Sequence, residues 1–221
     1  MTAGMEARRQ QYYRESGGTR LMGVYNQPPA ELELTARQRA RMGLKLEDAE
    51  AIRDAIEGFD LVVAEIARSH SVRAGATEVT LQITAIEPDF QRMRELGVAR
   101  GRFLSEHDIA TGAPVAVLGS TRARELYGSV NPIGKPLVVG DVTYTVVGVM
   151  SEKVFSFRRN SDHNAHEWMN RLLLVPITAY AKRHLGPTDD GIDEINLRLV
   201  SADVHEEARD TLEQLLRVRH R

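Results

Sequence analysis

The sequence predicts an α+β fold with a mostly antiparallel sheet, and three observations predict it. Residues 78–86 (EVTLQITAI) and 193–200 (DEINLRLV) alternate apolar and polar side chains with period two, the signature of half-buried strands. Residues 46–58 (LEDAEAIRDAIEG) and 203–217 carry apolar residues at helical spacing instead. Strands and helices do not alternate one for one. The order is strand, helix, strand, strand, helix, a β-rich middle, then strand, helix, strand, helix.

Residues 5–16 admit a helix but carry no apolar stripe. Residues 19–25 (TRLMGVY) read as a short strand that Pro28 and Pro29 end. Residues 30–45 are polar and arginine-rich without a period, and read as a loop. In the helix at 46–58, Leu46, Ala49, Ile52 and Ile56 share one face and Gly58 is the stop. Residues 59–73 turn extended, and Gly75 sits in a hairpin turn before the 78–86 strand, whose Val79, Leu81, Ile83 and Ala85 point one way.

Residues 87–96 (EPDFQRMREL) predict a short helix with proline near its start, where the missing N–H costs nothing. A polar loop is expected from Gly97 to Gly112. Residues 114–119 (PVAVLG) predict a strand, and 120–127 a helix capped by Ser120. After a turn at Asn131, Pro132 and Gly134, residues 136–139 and 143–150 (TYTVVGVM) form a hairpin across Gly140-Asp141. Residues 151–170 read as a long solvated loop, 171–177 (RLLLVPI) as an apolar strand and 179–185 as a short helix. The helix at 203–217 has Val204, Ala208, Leu212 and Leu215 in one stripe, with Glu206 and Glu207 in its first turn and basic residues at its end, as the dipole prefers. The middle, residues 87–150, has its own turns and reads as a candidate separate lobe.

The 221 residues suit one large domain or two small lobes. With 42% hydrophobic and 27% charged residues the balance is that of an ordinary globular chain. A net charge of −2 argues against nucleic acid as a partner. Cysteine is absent, which excludes disulfides and cysteine-based zinc sites. No stretch is long and apolar enough to span a bilayer, and the charged N-terminus is no signal peptide, so a flanking transmembrane helix is expected if the domain acts outside the cytoplasm.

Candidate chemistry is sparse. The segment 128–136 (GSVNPIGKP) resembles a phosphate loop only superficially: five residues, not four, separate Gly128 from Gly134, and Pro136 follows Lys135. It reads as a turn feeding a hairpin. Asp162, His163, His166 and Glu167 invite a metal reading, but the surroundings are loop-like and lack an obvious further ligand. His107 and Asp108 are adjacent and so do not face each other. Arg37, Arg39 and Arg41 suit either anionic headgroups or a solvated basic face. Trp168, the only tryptophan, is a partner contact or a packing anchor. No G-x-S-x-G elbow is present. No catalytic residue, cofactor site or metal site is assigned.

Four stretches in order carry a resemblance: 83–103 (ITAIEPDFQRMRELGVARGRF), 115–135 (VAVLGSTRARELYGSVNPIGK), 138–150 (VVGDVTYTVVGVM) and 172–185 (LLLVPITAYAKRHL). Together they resemble the MacB-like periplasmic core domain of ABC-transporter permeases, a group with macrolide and peptide exporters and with lipoprotein-release and FtsX-type relatives. The resemblance implies a porter-like α/β lobe built from both chain ends (46–86 and 151–221), an inserted β-rich lobe (87–150), and a membrane-proximal N-terminal segment with a variable loop (1–45). It further implies a position on the periplasmic side of a bacterial inner membrane. The implied partners are a cytoplasmic ABC ATPase subunit or domain, a second permease copy, and a periplasmic adaptor or envelope protein. Gly101 and Gly119 would permit tight turns or close backbone approach, and Val146, Val147 and Val149 would fill a core. The rival expectation is a free-standing extracytoplasmic ligand-binding module, which predicts a deep apolar pocket.

Overall fold

The computed structural model describes residues 20–25, 43–157, 163–186 and 189–220. The expected helix at 5–16 and most of the 30–45 loop lie outside them. Nine strands are present among the described residues: β1 (Leu21–Tyr25), β2 (Phe59–Ala74), β3 (Thr77–Ile86), β4 (Val98–Gly101), β5 (Val115–Leu118), β6 (Pro136–Val139), β7 (Val142–Met150), β8 (Leu173–Pro176) and β9 (Glu194–Leu199). Seven helices accompany them: α1 (Leu46–Ala55), α2 (Phe90–Met93), α3 (Glu106–Thr111), α4 (Ser120–Tyr127), α5 (Glu167–Asn170), α6 (Ile177–His184) and α7 (His205–Arg219).

The strands form one sheet in the order β1-β9-β2-β3-β8-β5-β7-β4, with β6 bridging β7 and the far end of β2. Only β3–β8 and β5–β7 are parallel; the other seven pairings are antiparallel. This is the expected α+β class. Following the pairings, β2, β3, β8, β5, β7 and β6 return to β2, so six strands close on themselves.

The two faces of the sheet bury different cores. One holds Val62, Ala64, Ile66, Val72, Leu81, Ile83, Tyr144, Val146, Ile195 and Leu197, covered by Ala49 and Ile52 of α1, Tyr180 of α6 and Leu212 of α7. Burying a side chain such as Ile52 or Leu212 contributes about 1.5–3 kcal/mol. The opposite face holds Leu61, Val63, Ile86, Val117 and Leu174, covered by Phe90, Met93, Phe103 and Met169. Val146 and Val149 belong to the first core, and Val147 packs against the second.

Several elements differ from expectation. The predicted polar loop at 97–112 contains β4 and α3, because Ser105 and Asp108 cap α3 reciprocally and Gly112 closes it in the left-handed conformation. The helix expected over 87–96 is a single turn, stopped at Glu95 with φ 51°. Ser120 does not cap α4; the extended Gly119 precedes the helix and Ser120 lies inside it. Helix α6 starts two residues earlier than predicted, directly after Pro176. A 3₁₀ turn (Ala202–Val204) precedes α7. Val79 is exposed, so the period-two reading of β3 fails at its outer end, while Thr84 and Ile86 at the inner end are buried with Ala85 between them because both faces are covered there. The segment 163–170 is no solvated loop: His166, Met169 and Asn170 are buried.

Close backbone approach is real at the expected glycines. A Cβ on Gly119 would lie 2.2 Å from the Asn170 carbonyl oxygen, and one on Gly101, at φ +72°, 2.1 Å from that of Val147. Gly119→Ala should therefore cost about 2–3 kcal/mol of overpacking, read by calorimetry as a melting point lowered by roughly 5–10 °C. Gly186→Ala, which meets nothing within 4 Å and has no positive φ, should cost clearly less.

Candidate functional site

The residues singled out from sequence are mostly structural. Around the phosphate-loop look-alike, the Gly134 N–H donates to the Val146 carbonyl, the Lys135 N–H to the Pro132 carbonyl and the Ile133 N–H to Asn131 Oδ1. These donors are turned onto the protein and shape a turn entering β6. His107 is exposed, whereas Asp108 is buried and does not engage it. Asp108 accepts from Arg102 at 2.5 and 2.9 Å and from the Ser105 hydroxyl at 2.7 Å. Burial pushes its carboxyl up, but these partners outweigh burial and hold it at about 2.

The structure does not assemble the expected 162–167 cluster into a site. Asp162 lies outside the described residues. Asn164 stitches the segment down, accepting from the N–H groups of Phe155 and His166 and donating to the Lys153 carbonyl. Glu167 turns to Arg171. Among the described residues no group of three or more His, Asp or Glu is placed to hold a metal ion. Trp168 is 43% exposed and carries the Arg94 guanidinium 5.7 Å from its ring centroid. Arg37, Arg39 and Arg41 lie outside the described residues.

Three polar clusters were not foreseen. The first joins α1 and α7. Asp48, in the first turn of α1, has a side chain only 3% exposed. It accepts from the Lys45 N–H at 2.8 Å, from Arg219 Nε at 2.7 Å and contacts His220 Nε2 at 3.0 Å. Burial pushes the carboxyl up; Arg219, the Lys45 amide and His220 together pull it below the usual carboxylate range. The end of α7 is thereby fastened to the start of α1 through a charge-assisted clamp. At the other end of these helices, Ala208 of α7 packs on Gly58. The pair works as a joint, not as a reaction centre, and we take it as the candidate functional site.

The second cluster is aromatic. His70 Nε2 lies 2.7 Å from the Tyr180 hydroxyl and His184 Nε2 lies 3.0 Å from that of Tyr144, with the two imidazoles 4.9 Å apart. Burial and then nearby positive charge (Arg68 at His70; His70 itself and Arg183 at His184) lower both imidazoles, and burial pushes the Tyr144 hydroxyl up to about 12. The third cluster lies on the other face of the sheet, where Tyr25, Glu194, Glu65 and Ile86 stand in register across β1, β9, β2 and β3.

None of these clusters has a sequence signal of its own. Asp48 and Arg219 are separated by 171 positions. Asp48 alone reads as an ordinary acidic residue in a helix's first turn. Two shallow depressions are present among the described residues. One, of about 540 Å³, lies between the β2–β3 turn and α4; the other, of about 300 Å³, lies beside Gly58 and Thr211.

This fold is that of the extracytoplasmic parts of ABC transporters. The periplasmic region of MacB from Actinobacillus actinomycetemcomitans superposes with a TM-score of 0.72 at 21% identity, covering 94% of this chain and 86% of that one. The extracellular domain of YknZ, a noncanonic ABC-type transporter from Gram-positive bacteria, also gives 0.72, at 18% identity over 90% of this chain and 94% of that one. The profile of the MacB-like periplasmic core domain matches residues 1–215, and the chain belongs to that family. It is the periplasmic domain of a MacB-like ABC-transporter permease. Relatives include the macrolide export ATP-binding/permease proteins MacB of Bdellovibrio bacteriovorus, 29% identical over 82% of this chain and 26% of that protein, and of Marinobacter nauticus, 30% identical over 78% and 25%. The chain thus spans about a quarter of the length of these relatives.

Removing the clamp should be measurable. Asp48→Asn is expected to destabilise the chain by about 2 kcal/mol at pH 7, the value of a hydrogen-bonded charge. Because the folded carboxyl titrates below its unfolded value, this stabilisation is present above about pH 4 and is lost as the pH falls further. Urea denaturation of both forms at pH 7 and pH 3 checks this: the gap should close in acid.

Proposed function

We propose that this domain couples ATP hydrolysis by a cytoplasmic ABC ATPase, carried on a separate subunit or a fused domain, to movement outside the membrane. In this reading two copies face each other on the periplasmic side of the inner membrane. They approach and separate as the ATPase cycles, and so drive export or act on an adaptor or envelope protein. The observation that carries the reading is the Asp48 clamp. With Arg219 and His220 held on α1, a displacement at the end of α7 is passed to α1 and to the sheet that α1 covers, and is not absorbed by fraying. Family membership supports the same reading, since the relatives are ATP-binding/permease proteins.

The division into a porter-like lobe (46–86 and 151–221), an inserted lobe (87–150) and an N-terminal segment (1–45) belongs to the same proposal. It is supported by the way β4, β5 and β6 all pair with β7. The 540 Å³ depression beside Arg124 and Lys135 is open and mixed in character, unlike the deep apolar pocket that the rival ligand-binding module calls for.

The test is a distance measurement on the complete transporter in lipid nanodiscs. Spin labels placed at the exposed Glu213 of α7 in each copy report the separation of the two domains. A separation that changes between the nucleotide-free and the ATP-trapped state is expected. An unchanged distribution in a transporter that still hydrolyses ATP would overturn the coupling reading.

A further inference from the structure

The row across the second face of the sheet places two carboxylates directly opposite each other. Glu65 on β2 and Glu194 on β9 are register partners, and directly opposed side chains in an antiparallel pair sit about 4.5–5.5 Å apart at Cβ. Both lie on the face that carries Leu61 and Val63, away from Ala64 and Ile195. Like charges at such a position repel, and both carboxyls are half-buried.

The surrounding groups do not neutralise the pair. From β9, Asn196 Nδ2 donates to Glu65 Oε2 at 3.1 Å. From β1, the Tyr25 hydroxyl bonds to Glu194. After α2 comes Arg94, whose positive charge opposes the rise of both carboxyls. Its Nη2 is used on Asn196 Oδ1 at 2.6 Å, it makes no ion pair within 4 Å of either glutamate, and its Nε is buried without a partner. From the segment after β7, the Lys153 ammonium is bonded to the Arg94 carbonyl. Asp193, the residue before β9, adds further negative charge but is itself bound to Arg68. From α5, Trp168 lies over the Arg94 guanidinium, with His166 and Glu167 just before it in sequence. Burial first, and then the facing Glu194, push the Glu65 carboxyl up to about 7, and burial also raises Glu194.

We propose that Glu65 and Glu194 form a facing carboxyl pair that sets how firmly β1 and β9 are held on β2, so that the domain responds to the pH of the compartment outside the membrane. With Glu65 protonated, a single anion stands at the seam. When it leaves, two anions face each other across β2–β9. The Tyr25–Glu194 bond then draws β1 into the response, and Arg94 shifts against Trp168. The device requires no ligand and is independent of the transport reading. Its sign is that of raised carboxyls: the folded chain holds the proton more tightly than the unfolded one, so the stability it contributes is full below the unfolded value and is lost as pH rises through neutrality.

The only tryptophan lies on the cluster's arginine, so the chain carries its own reporter. Intrinsic fluorescence of the 221-residue chain from pH 5 to 9 should show a single-proton transition near neutral pH. Glu65→Gln should abolish it and flatten the fall in melting point between pH 5 and 7. Glu194→Gln should move the midpoint down, because the opposing charge is gone. His166→Gln should leave the transition in place. A transition that survives Glu65→Gln and disappears in His166→Gln overturns the proposal. Should Glu65→Gln fail to fold, the wild-type Glu65 side-chain carboxyl followed by carbon NMR decides. Titration near neutrality upholds the pair, and titration below pH 5 overturns it.

Discussion

The molecule hangs on β2. Its sixteen residues, about 50 Å of extended chain, are paired with β3 on one side from Glu65 to Ala74. On the other side they pair with β9 over the first half and with β6 at the far end. A strand this long is stable only when neighbours on both sides satisfy its backbone groups. The hairpin with β3 supplies one edge locally, but the other must be supplied by segments from the middle and the end of the chain. The first core forms on the β2 face that α1, α6 and α7 cover, and the second forms on the opposite face only because α2 and α5 reach it.

That dependence explains what could be read in the sequence. Elements whose pattern arises from one covered face were legible: α1 and α7 from their stripes, and the middle of β3, where Leu81 and Ile83 are buried and Gln82 is exposed. Elements made by contacts far along the chain were not. Helix α3 exists because Ser105 and Asp108 cap it and Arg102 holds Asp108. A six-residue helix carries too few turns to show a period. Helix α5 and His166 looked like a solvated loop because their composition is polar. Their burial comes from Asn164 and Asn170, whose amides bond the backbone of 153–155.

The family pattern was legible through short runs whose spacing is structural. Gly101 and Gly119 stand where another backbone passes within van der Waals distance, and Asn131 and Gly134 shape one turn. The functional groups were not legible. Asp48 and Arg219, Glu65 and Glu194, and His70 and His184 are ordinary residues in ordinary settings. Each pair acquires its chemistry only when strands and helices from opposite ends of the chain meet. On the coupling role proposed above, the working parts pass on movement and need not be concentrated in one motif.

The closure of six strands onto β2 has a consequence for how such domains live side by side. An open sheet offers two long rows of unpaired backbone groups, and each is a template on which another chain can add a strand. Here the path ends at β1 and β4, and β4 is four residues long and broken by an irregularity between Val98 and Arg100. Neither its length nor its twist suits continued pairing. Another chain that meets this domain at the β4 edge is therefore met by side chains, and the two sheets do not fuse there.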